Sequence, residues 1–352
     1  MKRTLFDSLA ISDSERIHSQ TIAWIFSLDD EILNFNEKSK ILKNIFKITE
    51  EFEISSIIVE TELNRIDIFI QTDQDQFIIE NKLKSSEHSE QTSRYMDSIP
   101  YIYKDDSKTK HFGFLTLINE MPKNETWIPI TFSKLKESLS EIELDCKKKE
   151  SIFISEYCQT LENLVTTFNA FMYDHLKFEN VFKDGYKKKY EKERYDNPLK
   201  DYIRVNQLET IFQKAFFRNI AKDSNLPNYE INETRGTALI QSYFYEFQYK
   251  GKQYRIGLQF QGNTFKINLA DKNYATSKAN QIDEQLTNVF MNVFHKQNNF
   301  NKFNKPRTKA YISVSKKTEN MIYAMQKEQI VEMISGEADW IKSKVIELEN
   351  IF

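Results

Sequence analysis

Asp67 and the triplet Glu80-Asn81-Lys82 place two carboxylates and an ammonium in stretches that are otherwise apolar. Ile66, Ile68 and Ile70 flank the aspartate, while Phe77, Ile78 and Ile79 lead into the triplet, so both runs read as largely buried strands. Charged side chains in such strands need ionic partners or a metal. A polar turn at Asp73-Gln74-Asp75-Gln76 joins the runs into a β-hairpin. With Gln74-Asp75 as the turn, Asp67 lies directly opposite Lys82 and Glu80 is its diagonal neighbour. Side chains alternate with period two along a strand, so all three project from one face. Neighbouring carboxylates repel unless a hard cation lies between them, and Mg²⁺ prefers a few carboxylate oxygens, waters and substrate phosphate to a full protein cage. The expected chemistry is hydrolysis at a Mg²⁺ or Mn²⁺ site. There the metal activates a water and offsets charge on the scissile phosphate, while Lys82 orients or deprotonates that water. The competing reading is a structural salt-bridge cluster. An isolated E-x-K recurs by chance in a chain rich in Lys and Glu, and only the joint pattern outweighs that reading.

The elements that must position these residues follow from hydrophobic spacing. Ser12 and Glu15 fit a capping box, opening a helix on which Ile17, Trp24, Ile25 and Leu28 recur. A second helix follows at 37–48, and the strands begin at Ile57-Ile58-Val59. After the hairpin come a helix at 87–98, an apolar strand at 112–118, a short strand at 127–130, and helices at 133–144 and 151–176. This order predicts a mixed sheet flanked by helices. Residues 181–204 mix Lys183, Lys187, Lys188, Lys189, Lys192, Arg194 and Lys200 with tyrosines and read as a linker or helix between a 1–180 domain and a 205–352 domain. Glu191, Glu193 and Asp196 dilute its charge, which favours a solvated face over a phosphate track. A helix at 206–221 leads into a meander at 238–249, 253–260 and 264–269, with Gly251 and Gly262 at its turns. A helix at 278–295, a polar loop, a strand at 310–314 and a helix at 328–349 complete a C-terminal α+β domain for substrate or partner recognition.

Composition excludes several classes. The chain has 352 residues, with 49 Lys+Arg against 52 Asp+Glu, so it is no polycationic coat for nucleic acid. Its seven glycines form neither a G-x-G-x-x-G nor a P-loop, which removes nucleotide cradles. Cys146 and Cys158 suit no disulfide framework, and the histidines at 88, 111, 175 and 295 have no zinc spacing. Without a run of about 20 apolar residues no membrane span is expected, and the protein reads as cytoplasmic. The cluster of Lys302, Lys305, Arg307, Lys309, Lys316 and Lys317 has few acidic neighbours and is the better candidate for DNA contact.

Asp67, twelve intervening residues and then Glu80-Asn81-Lys82 on a hairpin resemble the D…(D/E)xK core of the PD-(D/E)xK, or restriction-endonuclease-like, nuclease superfamily. Gln91 and Tyr95, one turn apart on the next helix, are similar to the Q-x-x-x-Y motif of its RecB-like branch. Glu15, with His18 one turn later, looks like the acidic helix residue that joins the metal shell in several branches. The likeness covers residues 12–176 and is greatest to a bacterial group often linked with defence against foreign DNA, including antiviral defence. It implies an αβββαβ core, with Asp67, Glu80 and the Asn81 backbone carbonyl as metal ligands and Lys82 as the catalytic lysine. Gln91 and Tyr95 would support the active-site geometry, and Glu15 is a further metal-shell candidate. The implied activity is Mg²⁺-dependent hydrolysis of DNA. An RNase, or a non-cleaving binding module of the same fold, stays open, as does a homodimer or partner protein. A capping role accounts for Glu15 equally well, and His18 is a helix-packing or substrate-side residue in preference to a ligand. Ile66 stands where many members have proline, and Glu62, five residues before Asp67, points to the opposite face on a regular strand, though a bulge would return it to the site; it ranks below Glu15.

Overall fold

The structure, a computed structural model, describes residues 1–63, 65–83, 87, 91–102, 107–273, 281–304 and 310–349. The chain divides into two units, Met1–Tyr173 with Lys189–Ile211, and Asp174–Lys188 with Phe212–Phe352. Among the described residues no helix is long and apolar enough to cross a membrane.

The first unit opens with α1 (Leu5–Ser8), α2 (Glu15–Ser27) and α3 (Phe35–Phe46). Strands β1 (Ile57–Leu63), β2 (Ile66–Thr72) and β3 (Asp75–Lys82) follow, then α4 (Gln91–Ile102), β4 (Thr109–Thr116), β5 (Ile128–Thr131), α5 (Phe132–Ser140) and α6 (Lys149–Tyr173). The five strands lie in sequence order in one mixed sheet. β1, β2 and β3 pair antiparallel, whereas β3–β4 and β4–β5 are parallel. Helices cover both faces, which is why the inner strands read as nearly continuous apolar runs. On one face Phe69, Ile78 and Phe114 pack with Trp127 and with Tyr95 of α4. On the other, Phe46 of α3 lies 4.9 Å from the Phe77 ring. Gly113 of β4 permits that approach, since a Cβ there would stand 2.9 Å from Phe46 and 2.6 Å from Ile130. This is the mixed, helix-flanked sheet expected from the sequence.

The hairpin register differs from expectation by one pair. Gln71 faces Gln76 and Ile68 faces Ile79, so the turn residues are Asp73-Gln74. Thr72 Oγ1 accepts from the Asp75 amide at 3.1 Å, and the Asp73 carboxylate caps the Ser55 and Ser56 amides. These polar groups fix the turn earlier than a composition-based placement puts it. A two-residue shift preserves the face of every side chain but changes who stands opposite whom.

In the second stretch α7 (Glu179–Asp184), α8 (Pro198–Val205) and α9 (Glu209–Asp223) precede β6 (Tyr229–Thr234), β7 (Thr237–Tyr249), β8 (Lys252–Gln261) and β9 (Thr264–Asp271). Then come α10 (Glu284–Phe294), β10 (Lys302–Asn304), β11 (Tyr311–Lys317) and α11 (Lys327–Glu349). β10 falls in the polar loop expected from the sequence, and β6 in a stretch for which no element was expected. The expected helix start at Lys278 and the residues Lys305, Arg307 and Lys309 lie outside the described residues. Six antiparallel strands form the sheet of the second unit, in the order β10-β11-β9-β8-β7-β6. One face is apolar, with Ile240, Phe260, Phe265, Ile267 and Val314 buried. α9 sets Phe217 against Phe260, and α11 buries Ile330, Ile334, Ala338 and Ile341 at helical spacing.

Candidate active site

The site forms where β2 and β3 separate. Their ladder ends at Ile68–Ile79, and one further step sets Asp67 against Glu80, with Lys82 the diagonal neighbour. The sequence expectation of Asp67 opposite Lys82 is thereby corrected, because the turn sits one pair earlier. At the gap the Asn81 amide donates to Asp67 Oδ2 at 2.7 Å. A side chain has taken a bond that the ladder would otherwise make. A strand residue's N–H and C=O point the same way, so the Asn81 carbonyl faces the same gap.

Glu80 is 1% exposed. Its Oε1 accepts from Lys82 Nζ at 2.5 Å and from Gln91 Nε2 at 2.7 Å, while Oε2 has no hydrogen-bond partner. Gln91 Nε2 also donates to the Tyr95 hydroxyl at 2.6 Å, and that hydroxyl donates to the Arg65 carbonyl at 2.6 Å. The i,i+4 pair on α4 thus links the triplet strand to the start of β2. Burial pushes the Glu80 carboxyl up to about 8, and the Asp67 charge adds to the shift. Burial also raises the Asp67 carboxyl, against the pull of the Asn81 amide and of Lys82. Burial opposes the charge on Lys82, yet the carboxylates of Glu80, Asp67 and Glu15 outweigh it and raise its pKa. The ammonium therefore stays protonated at neutral pH.

Glu15 stands at the first position of α2, and its Oε1 accepts from the Leu83 amide at 2.9 Å. Asn81 Nδ2 donates to the Glu15 carbonyl at 2.9 Å and to Ser19 Oγ at 3.0 Å, fastening α2 beside the triplet. The helix cap is Ser14, not Ser12, whose hydroxyl donates to Asp7 Oδ1 at 2.7 Å. The capping box read from sequence does not form, so it no longer accounts for Glu15. His18 is fully buried between Tyr157 Oη and the Ser12 carbonyl, and burial lowers its pKa to about 4. It is a packing residue.

Parity places Glu62 off the site on a regular strand running to Asp67, but Glu62 lies on β1, which extends to Leu63. Its register, Thr61 to Ile68 and Leu63 to Ile66, sets Glu62 against Asp67. Glu62 takes a left-handed φ of 56° and pairs with Arg16 at 3.0 Å. Lys302 opens β10 and is exposed, some way along the chain from this cluster.

Among the described residues no group of three His, Cys, Asp or Glu side chains forms a metal cage. Two facing carboxylates, one with an orphaned buried oxygen, and an inward carbonyl suit a hard cation that keeps most of its shell as water and phosphate. In comparison with known proteins, a model of the PD-(D/E)XK nuclease superfamily matches residues 4–177. No curated protein and no solved structure matches the chain.

Proposed function

The chain belongs, through residues 4–177, to the PD-(D/E)XK nuclease superfamily, and from that premise we propose that it hydrolyses phosphodiester bonds of DNA with Mg²⁺ or Mn²⁺, in defence against foreign DNA. The observation that carries the reading is the buried Glu80 carboxylate with one oxygen anchored by Lys82 and Gln91 and the other unpartnered, facing Asp67. Asp67, Glu80 and the Asn81 carbonyl would hold the cation. When bound it supplies an activated water and offsets charge on the scissile phosphate.

Each side chain then has a distinct task. The Asn81 amide fixes one oxygen of Asp67, leaving the other to face the gap. Gln91 fixes Glu80 Oε1, and Tyr95 in turn fixes Gln91, so the carboxylate cannot rotate away. Lys82, held protonated, orients the attacking water and stabilises charge developing on the phosphate, which favours an electrostatic role over that of a base. Glu15, bonded to the Leu83 amide, adds negative potential that supports a second cation contact.

Calorimetric titration with MgCl₂ tests the metal half of this reading. Wild type is expected to bind, and Asp67→Ala and Glu80→Gln to lose that binding while staying folded. Absence of binding that depends on these two residues would favour a non-cleaving module of the same fold.

A further inference from the structure

The face of the six-stranded sheet opposite its helices is mainly polar, interrupted by the buried Leu239 and Ala270. The register carries Gln241 across to Gln259, Lys266, Ser315 and Lys302, and one step along it carries Tyr243 to Gly257, Asn268, Ser313 and Asn304. Directly paired residues share a face. These rows line a concavity of about 280 Å³. Beside it β8 packs tightly on β7 at Gly257, where a Cβ would stand 2.9 Å from the Tyr243 ring and 2.5 Å from the Ser242 carbonyl. Glycine inside a strand commonly marks such a close approach, and here one of only seven in the chain is placed at it.

The groups on this face are matched to bases and phosphates. Asn268 Nδ2 donates to Gln241 Oε1 at 3.2 Å, leaving Asn268 Oδ1 buried without a partner. Among the described residues Gln259, Lys266 and Asn304 make no hydrogen bond through their side chains, so amide donors and acceptors stand ready beside a cation. The Arg255 guanidinium lies 3.7 Å from the Tyr243 ring centroid, a cation–π contact beside the groove. Arg255 stands directly opposite Glu246, which also pairs with Lys272 at 2.9 Å, and Lys266 and Lys302 share the face with Glu230. Amides carry both donor and acceptor, as base edges do. The Watson–Crick edges are free only in unpaired nucleotides, whose bases also stack on tyrosine and arginine planes. A duplex would offer this narrow groove only its backbone.

We propose that this polar sheet face binds a single-stranded polynucleotide, with Gln259, Asn268 and Asn304 on base edges and Lys266 on phosphate. The inference rests on the nucleic-acid reading above, and the test separates the two. Fluorescence anisotropy of full-length protein in EDTA, with labelled single strands of about 16 nucleotides in DNA and RNA form and the matching duplex, reads binding without cleavage. Single strands are expected to bind more tightly than the duplex. Gln259→Ala should weaken them about 5- to 30-fold, and Lys266→Ala should reduce the salt slope by about 0.7. Unchanged binding in both variants, folded by circular dichroism, would overturn the proposal, as would a preference for duplex. Cleavage by wild type, measured apart, would still stand or fall on its own.

Discussion

At Glu80, burial and the facing Asp67 carboxylate both oppose ionisation, and the consequence is a defined pH dependence. The unfolded chain loses this proton near 4.5 whereas the folded, metal-free protein keeps it to about 8. Between those values the folded state binds more protons, so its stability falls as pH rises. Thermal melts in EDTA are expected to show a melting temperature that drops from pH 5 to pH 8. Glu80→Gln should flatten that slope, and Mg²⁺ added at pH 8 should restore the lost stability to wild type alone. Gln91 acts on the same carboxylate through one donor. Gln91→Ala is therefore expected to reduce cleavage about 10- to 100-fold in a folded protein, measured as single-turnover rate; an unchanged rate would remove Gln91 from the supporting network.

Among the elements, α2, β2, β3 and α4 were legible because each carries a strong local signal: a helical stripe, two apolar runs, and Q-x-x-x-Y one turn apart. The reach of those signals ended at pairing. The hairpin register depended on Thr72 and Asp73 capping backbone amides, which no hydrophobic pattern encodes, and the place of Glu62 depended on β1 extending past its apolar run to pair with β2 through Leu63. Ser12 and Ser14 both precede Glu15, and only the bond from Ser12 to Asp7 decides that Ser14 caps α2. β10 is three residues long and leaves no periodicity to read. Glu62 also supplies a test at this scale. Its φ of 56° disfavours a side chain, so Glu62→Gly is expected to raise stability by about 0.5–1 kcal/mol in denaturant melts, where a loss would show that the Arg16 pair outweighs the strain.

Across the whole molecule the formal charge is −3, so attraction to a polyanion must be local. Much of the lysine-rich 183–202 stretch is already neutralised within its own surroundings. Lys183 pairs with Glu179, Lys187 with Asp184, and Lys192 with Glu209, the last two side chains being 3% and 2% exposed. That supports the reading of this stretch as structure over a phosphate track. Glu209→Ala, which strands a buried ammonium, is expected to cost about 3–5 kcal/mol of unfolding free energy, read by chemical denaturation.

Cleavage of plasmid and linear DNA in Mg²⁺, compared between wild type, Asp67→Ala and Lys82→Ala, tests the central claim most directly. Wild type should cut, and do so only with the metal, while both variants should fall by about a thousandfold or more with their fold intact. Undiminished cleavage by either folded variant would contradict the assignment of this site.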